Sequence, residues 1–205
     1  VLGATGMIGQ RFVQLLEDHP YFEIGGLYAS ERSEGKSLGE VMKLKGIPFR
    51  DETLAMKIEA LEPKAIAKRC RLAFSGLPSD VAGDYETALS KEGLGVFSNA
   101  ASHRMDADVP LLIPEVNPDH LELVKKQPAF ANGGFIVTNA NCSTTGLAVP
   151  LQAIYKKFAV EHGLKLGAPT TFSLLRYEKE LDRLQAWCDS HLNTMVSLLT
   201  TDKKH

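Results

Sequence analysis

One cysteine of this chain stands where it can do chemistry. Cys142 lies in Asn139-Ala140-Asn141-Cys142-Ser143-Thr144-Thr145-Gly146, between the apolar run Phe135, Ile136, Val137 and a segment that reads as a helix. A thiol at a strand-to-helix junction sits near the positive end of the helix dipole and its unpaired N–H groups, and both favour the thiolate. A thiolate is the nucleophile of covalent catalysis, so acyl transfer to sulfur is the chemistry this position supports. The competing reading is a buried structural cysteine, the ordinary fate of a free thiol. The polar residues around Cys142, with hydroxyls expected to cap the helix, suit an anion site better than a core.

A second group of residues suits phosphate. Gly3-Ala4-Thr5-Gly6-Met7-Ile8-Gly9 is a G-x-x-G-x-x-G loop leading into an amphipathic segment with Phe12, Val13, Leu15 and Leu16. Glycines at this spacing allow a tight turn, close backbone approach to a pyrophosphate, and close packing of helix on strand. Taken alone the loop is a weak signal. The next apolar run, Phe22 to Ala29, is followed by Ser30-Glu31-Arg32-Ser33-Glu34-Gly35-Lys36. In dinucleotide sites an acidic residue here suits a free 2′-hydroxyl and an arginine suits a 2′-phosphate. Arg32, with Ser30 and Ser33 as donors and Lys36 nearby, points to NADP rather than NAD. Glu31 is the opposing note, and a solvated turn is the alternative.

A third group follows the next strands. Leu72-Ala73-Phe74-Ser75-Gly76-Leu77-Pro78 reads as a buried strand ending in a turn that would face a cofactor, so Ser75 and Gly76 join the candidate site. The strand Leu94 to Ser98 runs into Asn99-Ala100-Ala101-Ser102-His103-Arg104. An arginine on a loop at the ligand side of such a sheet is either a solvated charge or an anion clamp. His103 is either an acid–base group or a hydrogen-bonded structural histidine.

These groups need a scaffold that brings strand ends to one edge. The alternation of strand, turn and helix predicts an α/β fold with a doubly wound parallel sheet, the strand before Gly3 central in it. Helices are expected from about Ser79 to Glu92 and Pro118 to Lys126, and small edge strands at Ile47–Arg50 and Met56–Glu59. The loop at Gly3 normally follows a complete strand, of which Val1 and Leu2 remain, so residues are expected before Val1.

Composition excludes several classes. With 23 basic and 25 acidic residues, nothing suggests a nucleic-acid or membrane-surface partner. No apolar run has the length of a membrane span, and the first residues do not read as a signal peptide. Three widely spaced cysteines, Cys70, Cys142 and Cys188, offer neither a disulfide framework nor a metal pattern, so a reducing, cytoplasmic setting is expected. No metal ligands are expected.

The chain resembles aspartate-semialdehyde dehydrogenase in its fungal and archaeal form. The likeness rests on Gly3 to Phe12, Ser98-Asn99-Ala100-Ala101-Ser102-His103-Arg104-Met105-Asp106, Leu112-Ile113-Pro114-Glu115-Val116-Asn117, and Asn139 to Gly146, in the family's order. It implies a Rossmann-type domain over 1–141, a cysteine helix opening a catalytic and dimerisation domain over 142–165, and an unassigned tail over 166–205. The implied reaction is reversible, NADPH-dependent reductive dephosphorylation of L-4-aspartyl phosphate to L-aspartate 4-semialdehyde, toward lysine, methionine, threonine and isoleucine. Cys142 would carry the thioester, Asn141 would orient substrate and Arg104 would bind its phosphate. Gly3, Thr5, Gly6, Met7, Ile8, Arg32, Ser33 and Ser75 would line NADP, with Gly9, Ser30 and Gly76 beside them. The full-length family implies a homodimer or homotetramer.

Beyond about Lys165 the resemblance ends. The family continues into a domain with a histidine base and a substrate arginine, and neither can be placed on this chain. His162, His191 and His205 read as exposed helix or terminal residues. A missing general base costs on the order of a hundred- to ten-thousand-fold in rate, so a truncated product with little or no turnover is the expectation. The alternatives are a related reductase acting on malonyl-CoA or N-acetylglutamyl phosphate, and a non-catalytic NADP-binding fragment or defective subunit.

Overall fold

The computed structural model describes residues 1–43, 46 and 48–162, with side chains along the last helix described to residue 153. The expectations for the tail, and for the side chain of His162, lie outside the described residues. Leu2 enters the sheet as a single bridge, followed by helix α1 (Met7–Leu16), strand β1 (Leu27–Ala29) and a 3₁₀ turn (Glu31–Ser33). Short helices α2 (Leu38–Val41) and α3 (Asp51–Ala55) precede strand β2 (Ile58–Ala60), helix α4 (Pro63–Arg69) and strand β3 (Leu72–Ser75). Then come helix α5 (Ser79–Lys91), strand β4 (Gly95–Ser98), strand β5 (Leu111–Leu112), 3₁₀ segments Pro118–Lys126 and Pro128–Asn132, strand β6 (Phe135–Asn139) and helix α6 (Cys142–His162).

The described residues fall into two units, Val1–Pro114 with Pro118–Ala140, and Glu115–Asn117 with residues 141–162. In the first, β1 pairs with β2, and β3, β4, β6 and β5 lie side by side, every pairing parallel. Leu2 bridges β1 and β3 and joins the two halves. Its N–H donates to the Phe74 carbonyl at 2.8 Å and its carbonyl accepts from Gly76 N–H at 3.0 Å. The residue before the glycine loop is therefore central, as its sequence position predicts, and the strand order reverses there.

Side-chain alternation distributes the core over two faces. On one, Ala73, Val96 and Ile136 pack with Ala82 and Leu89 of α5 and Ile66 of α4. On the other, Val13 of α1 packs with Leu27, Ala29 and Ile58. Helices on both faces make the sheet doubly wound. Phe12, Phe74, Phe97 and Phe135 form a chain of ring contacts with centroids 5.6–5.9 Å apart, and Gly95 leaves room for the Phe135 ring. Each such pair adds about 1 kcal/mol beyond the area it buries. Among the described residues, no helix is long and apolar enough to cross a membrane.

Two local expectations need correction. The strand expected from Phe22 shrinks to Leu27–Ala29, because Phe22 stacks on His19 at 4.7 Å and Gly25-Gly26 interrupt the run. Residues 48–50 form no edge strand; they lead into α3, whose first turn carries Asp51 and Glu52, charges that favour a helix N-terminus. Residues 38–41 are helical through a capping box, Ser37 accepting from Glu40 N–H and Glu40 accepting from Ser37 N–H.

Tyr28 is 3% exposed, and its hydroxyl has no hydrogen-bond partner. Burial, reinforced by Cys70 alongside, pushes its phenol up to about 12. A folded-state value above the unfolded one means stability is lost as pH rises from about 10 to about 12. Tyr28→Phe removes that loss and the orphaned hydroxyl together. Urea unfolding of both chains between pH 9 and 12 should show the parent weakening relative to the variant, with the gap smallest at pH 9 and widening as pH rises.

Candidate active site

The glycine loop leaves the sheet at the reversal point. Gly3 has φ +68°, a left-handed conformation natural to glycine. A Cβ on Gly9 would lie 2.1 Å from the Gly3 carbonyl oxygen, one on Gly3 would lie 2.7 Å from the Gly76 oxygen, and one on Gly76 would lie 2.8 Å from Gly9 N. The three backbones therefore touch, and α1 starts directly against the end of β3. Gln10, fully buried, braces the loop by donating to the Thr5 carbonyl at 3.2 Å and accepting from Lys43 N–H at 3.1 Å.

The start of α1 suits an anion. Its N-cap, Gly6, supplies no side-chain cap, and its first turn holds no acidic residue. The first N–H groups of that turn lack intrahelical acceptors, with the helix dipole behind them. Met7 and Ile8 are exposed, and Thr5 is half-buried. This donor set, with a cradle that any Cβ would fill, fits the pyrophosphate of a dinucleotide.

The other sequence-predicted residues of this unit lie at carboxyl ends of parallel strands, which share one edge of the sheet. Ser30, Arg32 and Ser33 follow β1, Arg32 exposed on a 3₁₀ turn closed by the Ser33 N–H donating to the Ser30 carbonyl at 2.9 Å. Ser75 and Gly76 end β3. Ser75 differs from a lining residue in its side chain: it is fully buried, and its Oγ donates to Glu86 Oε1 at 2.6 Å. Its carbonyl accepts from Asn99 N–H at 2.9 Å.

Arg104 sits on the loop after β4. The loop is stitched down by Ala101 N–H donating to Ser79 Oγ at 3.0 Å and Ser102 Oγ donating to the Ser79 carbonyl at 2.9 Å. The half-buried Arg104 guanidinium donates to the Asn99 carbonyl at 3.0 Å. Asn99 Oδ1 accepts from Asn139 at 2.9 Å. His103 is hydrogen-bonded within the same loop, Nδ1 to Asp106 at 2.8 Å, with Nε2 3.2 Å from the Gly83 carbonyl.

In the second unit α6 begins at Cys142, which is exposed and free. The capping group is Asn141 rather than a hydroxyl: its Oδ1 accepts from Thr144 N–H at 2.8 Å and its carbonyl from Thr145 N–H at 2.9 Å. The N–H groups of Cys142 and Ser143 precede the first intrahelical bond. Asn141 spends its side-chain oxygen on the helix and keeps its NH₂ for other partners.

Sequence reasoning missed Glu86, Gln10 and Asn99. For Glu86 a signal existed. Ala82, Glu86 and Leu89 fall on one helical face, so the carboxylate had to point inward with them.

Residues 1–124 match the family described as semialdehyde dehydrogenase, NAD binding domain. The aspartate-semialdehyde dehydrogenase of Cryptococcus neoformans is 46% identical over 162 residues, 77% of this chain and 44% of its own length. That of Methanothermobacter thermautotrophicus is 44% identical over 163 residues, 78% of this chain and 46% of its own. Among solved structures, aspartate semialdehyde dehydrogenase with NADP from Candida albicans superposes on 77% of this chain and 46% of that one, with TM-score 0.69 and 41% identity. Aspartate semialdehyde dehydrogenase II complexed with ASA from Vibrio cholerae gives TM-score 0.58 at 28% identity, over 76% of this chain and 45% of that one. The chain spans about half the length of the curated relatives it matches. With its parallel doubly wound sheet and glycine crevice, it belongs to the semialdehyde dehydrogenase family, through that family's NAD-binding domain.

Proposed function

We propose that this chain serves an NADP-dependent aspartate-semialdehyde dehydrogenase reaction, the reversible conversion of L-4-aspartyl phosphate to L-aspartate 4-semialdehyde and phosphate. The observation that carries the reading is the uncapped start of α1 over the mutually touching Gly3, Gly9 and Gly76. The curated relatives named for this activity support it, as does the NADP-bound relative from Candida albicans. Small-molecule substrates, a cytoplasmic setting and assembly as a homodimer or homotetramer belong to the same proposal.

The chain's own groups divide the work. Gly3, Gly6 and Gly9 would hold the pyrophosphate, and Arg32 with Ser30 and Ser33 would take the 2′-phosphate. The Cys142 thiolate attacks the acyl carbon: a carbon–sulfur bond forms, the carbon–oxygen bond to phosphate breaks, and phosphate leaves with the electron pair. Arg104 binds the departing phosphate as a planar fork of donors. Held by the glycine loop and Arg32, a nicotinamide dinucleotide would supply the hydride equivalent for reduction of the acyl group. Sulfur then leaves as thiolate, releasing the aldehyde. N–H groups of the first turn of α6 stabilise the oxyanion at each stage, and the Asn141 NH₂ orients the substrate.

The choice of dinucleotide is tested by fluorescence titration. NADPH is expected to bind well ahead of NADH, and Arg32→Ala to weaken NADPH by about tenfold to a hundredfold, the worth of charge-assisted hydrogen bonds, while leaving NADH unchanged. Equal binding of the two dinucleotides, or an Arg32→Ala variant indifferent to the 2′-phosphate, sinks the NADP assignment.

A further inference from the structure

Helix α5 carries a carboxylate that the reaction above does not use. Glu86 is fully buried. Its Oε1 accepts from Ser75 Oγ at 2.6 Å and from Ser98 Oγ at 2.7 Å. Its Oε2 is buried without a hydrogen-bond partner and lies 3.9 Å from His103 Nε2. Burying a carboxylate is costly unless it is paired, and a glutamine would satisfy two hydroxyls without the charge. The position therefore asks what the charge does.

The wiring answers in part. Ser75 and Ser98 are register partners at the last positions of β3 and β4, on the face turned to α5. One carboxylate oxygen thus ties together the two strand ends from which Gly76 and the Arg104 loop depart. Ser98 Oγ also accepts from Ala100 N–H at 3.0 Å, which sets the first residues of that loop. The other oxygen faces His103, the residue before Arg104, whose ring is held from the far side by Asp106. Asn99, between Ser98 and Ala100, presents the carbonyl that receives the Arg104 guanidinium.

We propose that Glu86 and His103 are a positioning pair for the anion clamp: Glu86 anchors the Arg104 loop at its root and, through His103, beside the arginine itself. The pair acts through Arg104 and touches no substrate. It rests on the reading of Arg104 as the phosphate-binding residue. Because Ser75 shares the same oxygen, Glu86 also supports the β3 end, yet the glycine contacts there are backbone on backbone and do not depend on its charge.

The test separates these dependences. Phosphorus NMR titration of the NADPH-saturated chain gives the affinity for inorganic phosphate, and fluorescence gives that for NADPH, in the parent, Glu86→Gln, His103→Gln and Arg104→Ala. Glu86→Gln keeps an acceptor for both serines and loses the charge facing His103. It should weaken phosphate by about tenfold, the worth of one charge-assisted hydrogen bond from a displaced Arg104, with NADPH within about twofold. His103→Gln should follow it, and Arg104→Ala should abolish phosphate binding. Unchanged phosphate affinity in folded Glu86→Gln overturns the proposal, and so does equal loss of phosphate and NADPH, which marks a purely structural role. Should Glu86→Gln fail to fold, His103→Gln decides by the same split. A parent that binds no phosphate, or an Arg104→Ala chain that binds it normally, removes the Arg104 reading itself.

Discussion

Gly9→Ala should cost the chain its dinucleotide site and much of its stability. The new Cβ would stand 2.1 Å from the Gly3 carbonyl oxygen and 2.8 Å from Ala4 Cα, both backbone atoms at the sheet's centre. No side-chain rotation relieves such an overlap, so α1 must lift from the strand end and take its first-turn N–H groups with it. Overpacking of this kind costs about 3 kcal/mol, a large share of the roughly 5–15 kcal/mol that holds a domain together. Gly146→Ala is the control. Nothing lies within 4 Å of its Cβ position, and it sits inside α6, where alanine gains up to about 1 kcal/mol over glycine. Urea unfolding with NADPH titration checks both: Gly9→Ala should unfold early and bind NADPH at least about tenfold more weakly, while Gly146→Ala should unfold no earlier than the parent. A Gly9→Ala chain with normal stability and NADPH affinity would contradict the backbone contact.

The other large effect is at sulfur. Cys142→Ser leaves the Asn141 cap and the start of α6 in place, because Thr144 and Thr145 make their bonds to Asn141. It exchanges a thiolate for a hydroxyl that neutral water does not ionise and that leaves poorly from an ester. Acyl transfer from L-4-aspartyl phosphate, followed as phosphate release, should fall by on the order of a thousandfold or more, while NADPH affinity stays within about twofold. Residual phosphate release at the parent's rate in Cys142→Ser would mean that the acyl group goes elsewhere.

The sequence carried the parts of this site that depend on backbone. A glycine at every third position, then an amphipathic run, has few physical meanings, and the crevice at Leu2 is one of them. The Asn-Cys-Ser-Thr loop was equally legible as a helix start. Its capping group was not: Ser143 and Thr144 offered hydroxyls, yet a helix that begins at Cys142 places Asn141 at the cap, where its Oδ1 reaches the third N–H. Short elements were harder. Whether residues 48–50 pair as a strand depends on a neighbour being available, whereas Asp51 and Glu52 carry a local preference for a helix start. Ser37 and Glu40 spelled a capping box that the alternating apolar pattern around them concealed. Ser75 illustrates the remaining gap. Its place at a strand end suggested cofactor contact, but strand alternation turns its hydroxyl to the α5 face, where Glu86 waits. That pairing joins residues 11 apart on different elements, and only the fold brings them together.

In the proposed reaction Cys142 becomes an acyl carrier that NADPH can discharge. Intact-mass spectrometry of the chain mixed with L-4-aspartyl phosphate, followed by peptide mapping, measures this directly. The predicted result is one aspartyl adduct per chain on Cys142, lost on adding NADPH with release of the semialdehyde, and absent in Cys142→Ser. No adduct on Cys142, or an adduct that NADPH leaves untouched, would contradict it.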